Sequence, residues 1–240
     1  MIEVDPSIYV YENGRRYHAY YGTEKYLMPT DEVEQDRLDL YHEIFRVELD
    51  GRLHEAPLNE RHRELCVISQ MIDRTGTGVW AMDIADQYQM AEVIGTDLSP
   101  IQPSWLPNDV MKNWTFTDDF FDFIHGRNIS AEKVEFEDVQ MHVSKERFGP
   151  WPKDPRLKSI GAMNLLNGET GFESYGMAAF TRILGMSADE ARGICQRGLA
   201  ACQNKNYHVQ RVNASPWQEA IEQIIFVVII LAGEVFGLCS

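Results

Sequence analysis

Apolar residues recur at helical spacing in three stretches of this chain. Val33, Leu40, Tyr41, Ile44 and Phe45 put apolar groups near one face up to about Leu49. Pro29-Thr30-Asp31 reads as the start of that helix, with Asp31 and Glu34 in capping-box spacing, and Asp50-Gly51 ends it. Trp80, Ile84 and Tyr88 stand four apart and predict a helix over 79–90. Phe172, Tyr175, Ala179, Phe180 and Ile183 predict another over 172–184. Ser187-x-x-Glu190 is a capping box that opens one more, to about Gln203.

Other apolar runs are too short for helices. Leu65 to Ile68 and Glu92 to Thr96 read as strands, and Asp118 to His125 as an acidic lead into a buried one. Val134 to Val139 alternates and is a further strand candidate. Six tyrosines, from Tyr9 to Tyr26, crowd the first 28 residues. Gly149 to Pro155, with three prolines, reads as a stiff linker. The pattern predicts an α/β fold in three regions. These are a helical N-terminal cap over 1–58, a core over 59–145, and a mainly helical C-terminal region over 146–240 with an apolar tail. The tail, Ile224 to Ala232, is nine apolar residues, well short of the roughly 20 a membrane span needs.

Composition narrows the partners. The 240 residues hold 22 Lys+Arg against 37 Asp+Glu, a formal charge of −15. No basic patch is visible, so nucleic acid and anionic membrane surfaces are poor partners. Four scattered cysteines form no CxxC pair, which argues against structural zinc or a disulfide framework. The start of the chain has no apolar h-region. The expectation is a reduced, soluble protein of the cytosol or nucleus with no metal.

The chemical signal lies at Thr75-Gly76-Thr77-Gly78. Glycines let a ligand approach the backbone closely, and a turn entering a helix presents N–H donors. Strand, glycine turn, helix and strand lead to Asp97, 19 residues beyond Gly78, where an acid can accept from ribose hydroxyls. A nucleoside-type ligand follows. A nicotinamide dinucleotide would use Gly76, Gly78 and Ala81 in the looser fingerprint; the alternative without a ligand is a tight turn with a capping aspartate. His125 ends a candidate strand, where it could act as a base or orient substrate, or pack as a core histidine.

Several segments together resemble the fungal LaeA-like methyltransferases. They include Glu12 to Tyr20, Asp36 to Leu40, Leu49 to His54, Thr75 to Ala81, Ala91 to Pro103, Phe121 to His125 and Gly149 to Pro155. The resemblance implies a Rossmann-like class I core, S-adenosyl-L-methionine (SAM) as cofactor, and a methyl acceptor that is a small metabolite of secondary metabolism or a protein side chain. It implies that Thr75, Gly76, Thr77 and Gly78 approach the methionine part of SAM. Asp97 would hold the ribose, Leu98 would lie beside the adenine, and Tyr17 and Tyr20 would fold over the cofactor. Ile72 and Arg74 stand where the family motif has its acid and first glycine. Only 8 residues separate His125 from Val134, fewer than the dozen or so a parallel crossover needs. The resemblance is thus to a member with internal segments missing. A second reading is a degenerate relative that binds a protein partner.

Overall fold

The computed structural model describes residues 8–19, 22–23, 26–55, 58, 64–68, 76–96, 120–125 and 143–214. The predicted strand over 134–139, the apolar tail, and Tyr20, Thr75, Asp97 and Leu98 lie outside them.

The fold is mixed α/β, and its N-terminal part departs from the expected helical cap. β1 (Tyr9–Glu12) and β2 (Arg15–His18) pair antiparallel. Asn13 and Gly14 join them at φ 52° and 81°, the doubly positive turn that matches strand twist. That turn makes a hairpin of a segment in which only the tyrosines stood out. After it, α1 (Glu32–Glu48) starts as the spacing predicts, with the Asp31 carboxylate accepting from the Glu34 N–H at 3.1 Å.

A three-stranded parallel sheet follows. β3 (Glu64–Ile68) lies at its centre, β4 (Glu92–Thr96) on one side and β5 (Phe123–His125) on the other. α2 (Val79–Gln87) connects β3 to β4. Trp80, Ala81 and Ile84 of α2 form a buried cluster with Leu53, against which Tyr88, Val93 and Phe123 pack.

β6 (Val143–Arg147) crosses the expected boundary at residue 145 and pairs antiparallel with β7 (Gln210–Ala214). Gly149 to Pro155 is no spacer. The Gly149 N–H donates to the Gly161 carbonyl at 2.8 Å, Trp151 stacks on His208, and Asp154 caps α3 (Pro155–Ala178). This helix begins well before the predicted residue 172. Its buried stripe runs through Ile160, Asn164, Asn167, Gly171 and Ser174, mostly small or polar, so hydrophobic periodicity is silent there. A π-helical turn, Ala179–Ile183, extends α3, and α4 (Ala188–Gln203) opens with the expected reciprocal capping box. Met177, Phe180, Ala191 and Cys195 form the second apolar cluster, between α3 and α4.

α1 buries Ile44 of its expected apolar face, but in its first turns a charged row goes inward in place of Val33. Val33 is 49% exposed, whereas Glu34 and Arg37 are 1% and 3% exposed. The polar stripe of α3 explains the rotation. Arg37 donates to Glu34 at 2.6 Å and to the Asn167 amide oxygen at 3.3 Å, and the Asn167 amide donates back to the Arg37 carbonyl at 2.8 Å. Removing one member of such a buried pair costs about 3–5 kcal/mol, because the other is left charged and unpaired.

Candidate functional site

The strand order reverses at β3, since β4 lies on one side of it and the later β5 on the other. Open parallel sheets bind ligands beyond the carboxyl ends of their strands at such a reversal. The chain enters this end of α2 through Gly76, Thr77 and Gly78.

Gly76 and Gly78 are buried and adopt φ of 61° and 85°, a region that side chains disfavour. Gly78 is also the N-cap of α2 and supplies no side-chain acceptor. With no Cβ at either position, the backbone between them can be approached closely. That fits a nucleoside cofactor held by main-chain groups.

Side chains from three elements fix this turn. The Thr77 hydroxyl donates to the Asp39 carboxylate of α1. One turn further along α1, the His42 Nε2 lies 2.9 Å from Asp83 Oδ2 of α2, and Arg46 adds an ion pair to the same carboxylate at 3.7 Å. Trp80, in the first turn of α2, donates from Nε1 to the Leu53 carbonyl at 2.8 Å and stacks on His125 at the end of β5. His125 is thus at the carboxyl end of the sheet, beside the first turn of α2.

The predicted residues divide into two places. Gly76, Thr77, Gly78 and His125 belong to one neighbourhood, joined through Trp80. Tyr17 belongs to another. It is 0% exposed on β2, and the Arg182 guanidinium of the π turn lies over its ring, 4.5 Å from the centroid. Arg182 is held there by Glu12 at 2.8 Å. Burial pushes the Tyr17 hydroxyl above its ordinary pKa, and Arg15 and Arg182 pull it back only in part.

Asp39, His42 and Asp83 are absent from the sequence-based site. Asp39 lies within one of the segments that carry the family resemblance, and His42 follows it by three positions, on the same helix face. Neither has a recognisable motif, because what matters is the turn that α1 meets in space. Among the described residues no group of His, Cys, Asp and Glu could hold a metal ion.

The chain is similar to methyltransferase pytC of Aspergillus terreus, at 30% identity over 76% of this chain and 79% of that protein. It is 42% identical to the secondary metabolism regulator LAE1 of Cochliobolus heterostrophus over 48% of this chain and 39% of the regulator. It is 36% identical to the regulator laeA of Aspergillus fumigatus over 58% of this chain and 38% of the regulator. No family model and no solved structure matches. The alignment with pytC runs over 261 positions, yet 76% of 240 residues is only about 182. About 79 positions of that alignment (261 less 182) therefore have no residue of this chain. Gaps in this chain against that relative accord with the expectation of missing internal segments.

Proposed function

Because the chain belongs to the fungal LaeA-like methyltransferase family, we propose that it binds SAM at the glycine turn and transfers its methyl group to an acceptor of secondary metabolism. The acceptor class is a small metabolite or a protein side chain. The observation that carries the reading is the pair of buried, positive-φ glycines entering α2 at the reversal of strand order.

SAM, when bound, supplies a methyl group already activated by its sulfonium charge. The protein's part is then alignment more than acid–base chemistry. In this reading residues 59–145 carry the cofactor. Gly76, Thr77 and Gly78 admit it to the backbone, together with Thr75. Asp97, next in sequence after β4, accepts from the ribose hydroxyls, with Leu98 beside the base. Tyr17, buried under Arg182 in the other neighbourhood, is left out of this reading, and Tyr20 keeps its expected place over the cofactor. His125, fixed by Trp80, orients the acceptor or takes its proton where that acceptor is a hydroxyl or an ammonium.

The roughly 79 aligned positions without a counterpart in this chain favour one second reading, a non-catalytic family member that acts by binding a protein partner. Calorimetric titration with S-adenosylhomocysteine separates the two. Binding that Asp97→Ala abolishes supports the enzyme. A folded, monodisperse sample that takes up no ligand overturns it and leaves the partner-binding reading.

A further inference from the structure

We propose that Asp39 recognises the ammonium group of the amino-acid part of the cofactor. The inference rests on the reading of the glycine turn given above, and it assigns that site a residue from outside the βαβ unit.

Thr77 stands between Gly76 and Gly78, and its hydroxyl donates to Asp39 Oδ1. That bond places a carboxylate from α1 against the segment of backbone that a ligand would approach. Asp39 is exposed, and a carboxylate offers about four lone-pair sites, of which Thr77 takes one. Its acceptor capacity is therefore far from used.

Charge distinguishes Asp39 from the other acids nearby. Asp83 has His42 and Arg46, and Glu43 has Arg46. Among the described residues no cation lies within ion-pair distance of Asp39. A fixed negative charge thus stands beside the turn with a neutral donor for its partner. A ligand that brings a cationic N–H donor gains a charge-assisted hydrogen bond there. Among the described residues, α1 is the element that supplies a carboxylate to the turn. In SAM and S-adenosylhomocysteine alike, the ammonium of the amino-acid part is the cationic donor.

The test compares two ligands that share a nucleoside and a thioether. S-adenosylhomocysteine carries the amino-acid part; 5′-methylthioadenosine lacks it. Each is titrated into wild type, Asp39→Asn and Asp39→Glu, after circular dichroism has shown all three to be folded. The expected result is that Asp39→Asn weakens S-adenosylhomocysteine about fivefold, the upper value for an exposed charge pair, and leaves 5′-methylthioadenosine unchanged. Asp39→Glu keeps the charge and recovers part of the preference. Equal weakening of both ligands overturns the proposal, because Asp39 then only shapes the turn. No change in either ligand overturns it as well. If wild type binds neither ligand, the reading of the glycine turn itself has failed, a result distinct from the other two.

Discussion

Trp80 and His125 lie face to face, with ring centroids 3.8 Å apart and planes 4° from parallel. One ring belongs to the first turn of α2 and the other to the end of β5. The stack therefore ties the helix that follows the glycine turn to the strand across the reversal of strand order. Aromatic pairs of this kind contribute about 0.5–1.5 kcal/mol beyond area burial. His125→Ala should lower unfolding free energy by about that much or more in urea titrations. His125→Phe should retain most of it. Equal losses in the two variants would show that the ring face is not what matters.

Gly161 is a position where no side chain fits. A Cβ there would lie 2.2 Å from the Gly149 carbonyl oxygen, a backbone atom that cannot swing aside. Gly161→Ala should cost at least the 1–3 kcal/mol typical of overpacking. Gly193, in α4, is the control, since its Cβ would meet only the far end of Arg197 at 3.4 Å. Gly193→Ala should stabilise by roughly 0.5–1 kcal/mol through helix propensity. Thermal melts of the two variants should therefore move in opposite directions.

Asp31 predicts a pH dependence with a definite sign. Burial alone would raise its pKa, but hydrogen bonds from the Arg15 side chain and from the Glu34 and Arg16 N–H groups hold it below 3.8. The folded state thus favours the carboxylate. Its contribution is complete well above the ordinary carboxylate value and is lost as pH falls below about 4 through the depressed value. Asp31→Asn keeps a capping side chain and loses the ion pair with Arg15, which wild type makes at 2.7 Å. The melting temperature should drop at pH 7 by about 2–4 °C per kcal/mol lost, and the gap to wild type should close below pH 4.

Cys195 and Cys202 should resist alkylation. Burial pushes both thiols up to about 11, with Glu173 adding to the effect at Cys195. At pH 8 the thiolate, which is the reactive form, is then scarce. Iodoacetamide should label both slowly in native protein and fully in denaturant, as read by peptide mass spectrometry. Rapid native labelling of Cys195 would contradict its place between α3 and α4.

Much of the fold was legible where a local signal coincided with a local cause. Asp31 and Ser187 announce helices because their side chains bond N–H groups three residues on, whatever lies elsewhere. The glycine turn is readable for the same reason. Gly76 and Gly78 are needed by the backbone's own φ angles. Asn13-Gly14 carries an equally local hairpin signal, since both residues adopt the positive φ that the turn requires.

The remainder was decided by partners far apart in the chain. Glu34 and Arg37 look like a solvated pair until α3 brings Asn167 against them from 130 residues away. Residues 155–171 show no hydrophobic period, because the stripe they bury is matched to that charged row and to the backbone at Gly149. Asp39 has no motif at all, and it gains a role only where α1 meets Thr77. Sequence alone determined the caps, the glycine turn and the family, since each depends on residue types at short fixed spacing. Tertiary structure alone decided which helix faces turn inward, and which carboxylate stands beside the turn. Buried polar groups need partners of matching geometry, and only the folded chain sets that geometry.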